Sequence, residues 1–171
     1  MFRSIKILPI LAPALLLAAC SLETFSDRAP DRAPAFYTDL AAAGAKLEPA
    51  SARDMISLYR RNNGLETLEI DSGLMAEAQR QADAMASADK LSHEVRGSLN
   101  DRLNKAGYQR FEAVENVSAG YHTVAEAFSG WRQSPPHNSN MLAKGMKRMG
   151  IAAAYNPRAR YKVFWALVLT N

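Results

Sequence analysis

Apolar residues recur at helical spacing in the first half of the chain. Met55, Leu58 and Tyr59 stand three and four residues apart, which predicts one apolar face of a helix that begins near Ser51. Gly64 is expected to end this helix, because glycine adopts the left-handed conformation of a helix terminus without strain. A short extended segment is predicted to follow the glycine.

Small residues at the same spacing indicate a second helix. Asp71 or Ser72 is expected to cap it, since a side-chain oxygen at that position can accept a free backbone N–H. The predicted buried stripe consists of Leu74, Ala78, Ala82 and Met85. Because half of that stripe is alanine, we expect a neighbouring element to approach it closely.

Two further helices are predicted from their capping residues. Ser98 begins a short helix that Gly107 ends, and Thr123 begins a longer one. Pro135 and Pro136 are expected to end the longer helix, because neither can donate the backbone hydrogen bond that a continuing helix needs. We predict that an Asn-rich turn leads from these prolines into an extended segment.

The last third of the chain favours strands. Three segments are rich in β-branched or aromatic residues or alternate between apolar and polar positions, namely Phe111 to Ala119, Met149 to Tyr155 and Tyr161 to Leu169. Asn156-Pro157 begins a turn between the last two. Helices come early and strands come late, and the last two strands are placed to form a hairpin. This order predicts an α+β domain in which helices cover a small, mainly antiparallel sheet.

The first twenty residues have the pattern of a bacterial signal peptide. Arg3 and Lys6 form a positive region, and a short apolar run interrupted by prolines follows them. The run ends in Leu17-Ala18-Ala19-Cys20, which resembles the lipobox of bacterial lipoproteins. Cys20 is therefore the predicted lipid attachment site, and the acyl chains would hold the protein at a membrane. An ordinary secretion signal with an incidental cysteine is the alternative.

The predicted organisation has three parts, with a signal peptide at 1–20, a flexible tether at 21–50 and a domain at 51–171. Pro, Ser, Ala and charged residues dominate the tether, and Asp27-Arg28-Ala29-Pro30 is repeated at once as 31–34. The large apolar residues of the tether are few, and three of them, Phe36, Tyr37 and Leu40, predict a short helix that docks on the domain.

Charge argues against a nucleic-acid partner. The chain carries 21 basic and 17 acidic residues, a formal net charge of +4. Without Arg3 and Lys6 of the predicted leader the excess falls to 19 against 17, or +2. The basic residues are also scattered, whereas a nucleic-acid site needs a concentrated basic surface.

Candidate chemistry is confined to a few polar residues. His93, Glu115 and His137 are ligand types that Zn²⁺ accepts in sites with an open position. Without a metal, Glu115 could act as a base and a histidine as an acid. The spacing contains no His-x-x-x-His pair and no Gly-x-Ser-x-Gly elbow. Ser134 beside His137 is the one candidate nucleophile pair, and we interpret Ser134 as a helix-end cap. Alternatively, all of these residues satisfy local backbone groups.

An ordered set of short segments resembles the bacterial branch of the CAP superfamily, which comprises cysteine-rich secretory proteins, antigen 5 and plant pathogenesis-related proteins and is also called the SCP domain. The segments are Asn63-Gly64-Leu65, Leu91-Ser92-His93, Gly107-Tyr108, Glu115-Asn116-Val117, Trp131-x-x-Ser134, His137-x-x-Asn140-Met141-Leu142 and Met149-Gly150-Ile151. The resemblance covers about residues 51 to 171. It implies an α-β-α sandwich with a central antiparallel sheet and a cleft on one face.

Members of that family place two histidines and two acids in the cleft. The resemblance assigns His93, Glu115 and His137 to three of these positions, while Ser134 stands where disulfide-rich members have the fourth acid. Asn138 is a second departure, from a His-Arg pair that is usual in bacterial members. Asn116 and Asn140 are candidates to tie loops to the sheet by side-chain hydrogen bonds.

Two functions remain open from the sequence. The first is a non-enzymatic, lipid-anchored binding module of the cell envelope, at the outer membrane and facing the periplasm. Its partner would be a lipid or another small ligand, or an envelope component, and no catalytic residue is assigned. The alternative is a metal-dependent hydrolase, a peptidase or an enzyme of envelope polymers, that uses Zn²⁺ on His93, Glu115 and His137. The missing fourth acid favours the binding module.

Overall fold

The computed structural model describes residues 33–171, which form one compact unit. A 3₁₀ helix at Ala35–Tyr37 precedes five α-helices and four strands. The helices are α1 (Pro49–Asn62), α2 (Ser72–Ala88), α3 (Leu99–Lys105), α4 (Val124–Gln133) and α5 (Pro135–Met141). The strands are β1 (Glu69–Ile70), β2 (Ala113–Ala119), β3 (Arg148–Tyr155) and β4 (Val163–Thr170).

The four strands form one sheet in the order β1-β3-β4-β2. The pairs β3–β4 and β2–β4 are antiparallel, and only the two-residue β1 runs parallel to its neighbour β3. The predicted hairpin is therefore confirmed as β3 and β4. All eight residues of β4 are buried, because this strand is paired on both sides and covered on both faces.

Helices cover both faces of the sheet, which confirms the predicted α-β-α sandwich. On one face, α2 and α3 pack against strand residues that are mostly small, such as Ala152 and Ala166. On the other face, helices α1, α4 and α5 pack against larger residues, including Ile151, Trp165 and Leu167. No helix within residues 33–171 is long and apolar enough to cross a bilayer.

The α2 stripe of Leu74, Ala78, Ala82 and Met85 is buried as predicted. Its small residues allow a very close approach to β3 at Gly150. A Cβ atom added at Gly150 would lie 2.1 Å from the backbone carbon of Leu74 and 2.4 Å from the backbone nitrogen of Met75. Helix α2 thus rests directly on the glycine, and the position has no room for a side chain.

The predicted apolar face of α1 is wrong at Leu58, which is 51% exposed. Ala52, Ile56 and Arg60 are buried at a spacing of four residues, together with Ser57. Leu58 lies two residues from Ile56, on the opposite side of the helix. Arg60 is buried because its guanidinium donates to the four backbone carbonyls of Glu66, Met141, Ala143 and Met146. These bonds join α1 to the segment around α5.

The prolines at 135 and 136 have two roles, of which only one was predicted. Helix α4 ends at Gln133, as expected, but Pro135 also begins α5. The predicted Asn-rich turn is therefore wrong, because Asn138 and Asn140 lie inside this helix. Proline is tolerated in a first helical turn, where its missing N–H would have no intrahelical acceptor.

The compact unit extends N-terminally beyond Ser51 into the segment predicted as a tether. Leu40 is buried in the core, and its backbone N–H donates to the carbonyl of His122 over 2.9 Å. Phe36 packs against the same core from the 3₁₀ helix. The predicted docking segment thus contacts the domain. Cys20 and the predicted signal peptide lie outside the described residues.

Candidate functional site

Strand β2 carries Glu115, one of the three predicted cleft residues. It is opposite Val168 of β4, so its side chain points to the face that α2 and α3 cover. The carboxylate is 2% exposed. Ionised carboxylates are rarely buried to this extent unless they are paired, so the partners of Glu115 define what it can do.

Both carboxylate oxygens of Glu115 are engaged. His93 Nδ1 lies 2.8 Å from Oε2, and Arg102 Nη2 donates to Oε1 over 2.8 Å. Arg102 comes from α3 and is 1% exposed, whereas His93 is 53% exposed in a loop after α2. The carboxylate therefore has a buried cation on one side and an imidazole open to solvent on the other.

The loop that carries His93 is fixed through its backbone. Gln81 Nε2, from α2, donates to the carbonyls of Ser92 and His93 over 2.9 and 3.1 Å. Arg102 adds bonds to the carbonyls of His93 and Gly97 over 3.3 and 3.2 Å. These contacts set the position of the imidazole before any ligand arrives.

Arg102 also joins Glu115 to a second buried carboxylate, that of Glu77 on α2. Arg102 Nη1 lies 3.1 Å from Glu77 Oε1, and Arg80 and Arg96 pair with the same carboxylate at 2.7 Å. Arg102 and Glu77 are not among the residues predicted from the sequence. A signal was present, because Glu77 is three residues after Leu74 and therefore belongs to the buried stripe of α2.

The structure brings His137 into the same region from α5. Asn116 Nδ2 donates to the His137 carbonyl over 3.0 Å, which holds α5 against β2. Burial, and then the charge of His93, lowers the pKa of His137 below its ordinary value. Helix α5 therefore carries His137 to the edge strand β2, which also carries Glu115.

The predicted supporting residues have different roles. Asn140 Nδ2 donates to the Glu115 carbonyl and to Asn116 Oδ1 over 3.0 and 2.9 Å, so both asparagines tie α5 to the edge strand β2. Ser134 stands at the junction of α4 and α5, but its side chain makes no capping bond. Asn138 accepts a hydrogen bond from the Tyr59 hydroxyl over 2.9 Å.

Trp131 is a core residue on the buried side of α4. It is 1% exposed, and its ring meets that of Trp165 edge-on with centroids 6.4 Å apart. Tyr108 and Tyr121 also pack inside the domain. The hydroxyl of Tyr108 donates to Asp71, and the ring of Tyr121 lies against Gly130 of α4.

The residues present do not fit the predicted zinc site. Within residues 33–171, no three His, Cys, Asp or Glu side chains converge as metal ligands. Binding through Glu115 would require a metal to displace Arg102 or His93 from a buried carboxylate. The nitrogens that remain belong to the two imidazoles, and two ligands are fewer than the three that a zinc enzyme uses.

The two histidines should make opposite contributions to stability as pH changes. The hydrogen bond to Glu115 raises the pKa of His93 above its ordinary value, despite partial burial. Protonated His93 therefore stabilises the fold below the unfolded-state pKa of about 6.5, and this stabilisation is lost as pH rises through the folded-state value. His93→Gln should cost more stability in mildly acidic than in mildly alkaline buffer, measured by urea unfolding at a series of pH values.

His137→Gln provides the matched comparison. Its lowered pKa means that protonation opposes folding, so the native histidine costs stability as pH falls below about 6.5. Removing this imidazole should make the protein relatively more stable toward acid. Parallel pH profiles for the two variants would contradict the arrangement of charges described above.

With this geometry established, comparison with known proteins identifies the family. Residues 53–169 match the model of the CAP family, the cysteine-rich secretory protein family. The chain belongs to this family. The match covers most of α1, the whole of α2 to α5 and almost the whole sheet, and it includes His93, Glu115 and His137.

Several proteins similar to this CAP domain come from bacteria. Over 100 residues the chain is 28% identical to the uncharacterized membrane protein YlbC of Bacillus subtilis, a match that spans 57% of this chain but only 29% of YlbC. A solved extracellular protein with an SCP domain from Bacillus anthracis is 23% identical, with a TM-score of 0.61 over 70% of this chain and 39% of its own. An outer surface protein from Borrelia burgdorferi is 19% identical, with a TM-score of 0.62 over 70% and 88%.

Proposed function

We propose that this CAP protein is a non-enzymatic binding module of the bacterial cell envelope. The observation that carries the proposal is the state of Glu115. A general base must be within reach of substrate, whereas the Glu115 side chain is 2% exposed and each of its oxygens faces a protein partner. The carboxylate is better suited to holding His93 and Arg102 in place than to accepting a proton from a substrate.

A pocket at the sheet edge is suited to the ligand. It has a volume of about 310 Å³ and lies beside β3, between the segment that follows Leu40 and helix α2. Its apolar lining includes Leu47, Met75 and Ile151, and its polar lining includes Lys46, an exposed cation. Concave apolar sites with a few polar groups are typical of small-ligand sites. A lipid with an acidic head group matches this combination.

Attachment through Cys20 is the second part of the proposal. The segment Leu17-Ala18-Ala19-Cys20 supports it, and the matched relatives are described as membrane, extracellular or outer surface proteins. The lipid would place the domain at the outer membrane, facing the periplasm. In cell fractionation the native protein should pellet with membranes and the Cys20→Ser chain should be soluble. Membrane pelleting of both would count against the anchor.

Titration of the soluble Cys20→Ser chain tests the binding function. Laurate, a fatty acid, should bind saturably, because its chain can leave water and its carboxylate can pair with Lys46. Lys46→Gln removes the cation, and Ala153→Leu fills the pocket. Each substitution should weaken laurate binding about tenfold, a loss of about 1.4 kcal/mol. Lys144→Gln, at an exposed lysine outside the pocket lining, is the control.

The same sample distinguishes the alternative, a metal-dependent hydrolase. That function predicts one tightly bound Zn²⁺ per chain, lost when His93→Ala and His137→Ala are combined. Elemental analysis after dialysis gives the metal content directly. Stoichiometric zinc together with absent laurate binding would overturn the proposed function.

A further inference from the structure

A second pocket lies on the opposite face of the sheet, between α2 and α3. This α2–α3 pocket has a volume of about 450 Å³. Three of its lining residues are small, namely Gly73, Ala76 and Ala106. The others are all charged, namely Glu77, Arg80, Arg96, Arg102 and Lys105. It shares no lining residue with the apolar pocket beside β3.

Glu77 organises the cations of the α2–α3 pocket. Its Oε1 accepts from Arg96 and Arg102, and its Oε2 accepts from Arg80. Burial disfavours its ionisation, but the bonds from Arg80 and Arg102 and the charge of Arg96 hold the pKa of Glu77 below its usual value. One buried carboxylate thus fixes three guanidinium groups side by side.

The pocket carries more positive charge than its carboxylates neutralise. Its lining holds four cations, namely Arg80, Arg96, Arg102 and Lys105. Two carboxylates pair with these cations, Glu77 in the pocket and Glu115 through Arg102, which leaves an excess of two positive charges. Lys105 forms no ion pair within the part of the chain that the structure describes. The nearby Asp71 does not reduce this excess, because Arg148 pairs with it at 3.6 Å.

Donors remain available in the α2–α3 pocket. Arg80 binds Glu77 through Nε and Nη2, and Arg96 binds it through Nη1. Arg80 Nη1 and Arg96 Nη2 have no hydrogen-bond acceptor among residues 33–171. Arg80 is 49% and Arg96 30% exposed, so an incoming ligand can reach them.

We propose that the α2–α3 pocket binds a phosphate group, either of a soluble phosphate or of a lipid headgroup. Fixed guanidinium groups match the paired oxygens of a phosphate, and Lys105 adds a mobile point charge. A phosphate close to its dianionic form also balances the excess of two positive charges. This site is separate from the proposed laurate pocket. Lys46→Gln should weaken only laurate binding and Lys105→Gln only phosphate binding, so the two proposals can fail independently.

Isothermal titration of the Cys20→Ser chain with inorganic phosphate at low ionic strength tests the assignment. Saturable binding of one phosphate per chain is expected, weakened about tenfold by Lys105→Gln or Arg80→Gln. Lys105 is exposed and has no ion pair within residues 33–171, so its replacement should leave the thermal unfolding curve unchanged. Lys144→Gln and Lys46→Gln should bind phosphate as the parent does.

Vesicles of phosphatidylcholine with and without phosphatidylglycerol distinguish the two sources of phosphate. Recruitment that requires phosphatidylglycerol and is lost in Lys105→Gln identifies a lipid headgroup, whereas phosphate binding without recruitment identifies a soluble ligand. Absence of saturable phosphate binding would overturn the proposal, as would equal affinity in Lys105→Gln, Arg80→Gln and the parent chain.

Discussion

Arg102→Met should destabilise the protein by about 3–5 kcal/mol, the loss typical of breaking a buried ion pair from one side. Arg102 is 1% exposed and pairs with Glu77 and Glu115, which are equally buried. Methionine fills similar space but leaves both carboxylates short of a cation. Urea unfolding at neutral pH measures the change in the free energy of unfolding.

Arg80→Met is the matched control, because Arg80 pairs with the same Glu77 at 2.7 Å but is 49% exposed. Solvent-exposed ion pairs contribute little, so this variant should lose less than about 1 kcal/mol. A combined Arg102→Met and Glu115→Gln variant should recover part of the loss, since it removes the charge of one of the two buried carboxylates that lose Arg102. Equal losses for Arg102→Met and Arg80→Met would contradict the role of burial.

Gly150→Ala should cost about 3 kcal/mol or more, at the upper end for overpacked cores. The added methyl group would meet the backbone of Leu74 and Met75 at 2.1–2.4 Å. Backbone cannot rotate aside, so α2 would have to move off β3 and loosen the packing along that face. Thermal unfolding and the near-ultraviolet circular dichroism of the tryptophans measure the damage.

Gly130→Ala is the comparison that separates backbone from side-chain contact. A Cβ there would lie 2.1 Å from the hydroxyl of Tyr121, which is the end of a side chain that can turn away. Alanine also favours the interior of helix α4 by about 0.5–1 kcal/mol over glycine, which offsets the shift of the ring. A loss at Gly130 as large as that at Gly150 would contradict this reasoning.

The sequence predicted the fold well where local rules and packing agree. The stripe of α2 and the β3–β4 hairpin follow from spacing and composition, and Ser98 and Thr123 cap their helices as expected. The start of α5 was missed, because proline is compatible with both the end of one helix and the beginning of the next.

The candidate site was predicted only as a set of residues. His93, Glu115 and His137 came from the resemblance to CAP domains. The structure shows a contact between His93 and Glu115, and that His137 belongs to one cleft with them stays a prediction. The contact of Glu115 with Arg102 could not be inferred, because charged residues such as Arg102 ordinarily lie at the surface. Only the packing of α3 on the sheet reveals that a buried guanidinium bonds one oxygen of Glu115 while His93 contacts the other.

The burial of β4 has a consequence for the motions of the domain. Each of its residues is covered, and the strand is bonded to β3 on one side and to β2 on the other. Its amide hydrogens can therefore exchange with solvent only when the whole domain unfolds, whereas local opening is sufficient at the two-residue β1. Hydrogen exchange in β4 thus reports the global free energy of unfolding, and exchange in the edge strand β1 reports only local fraying.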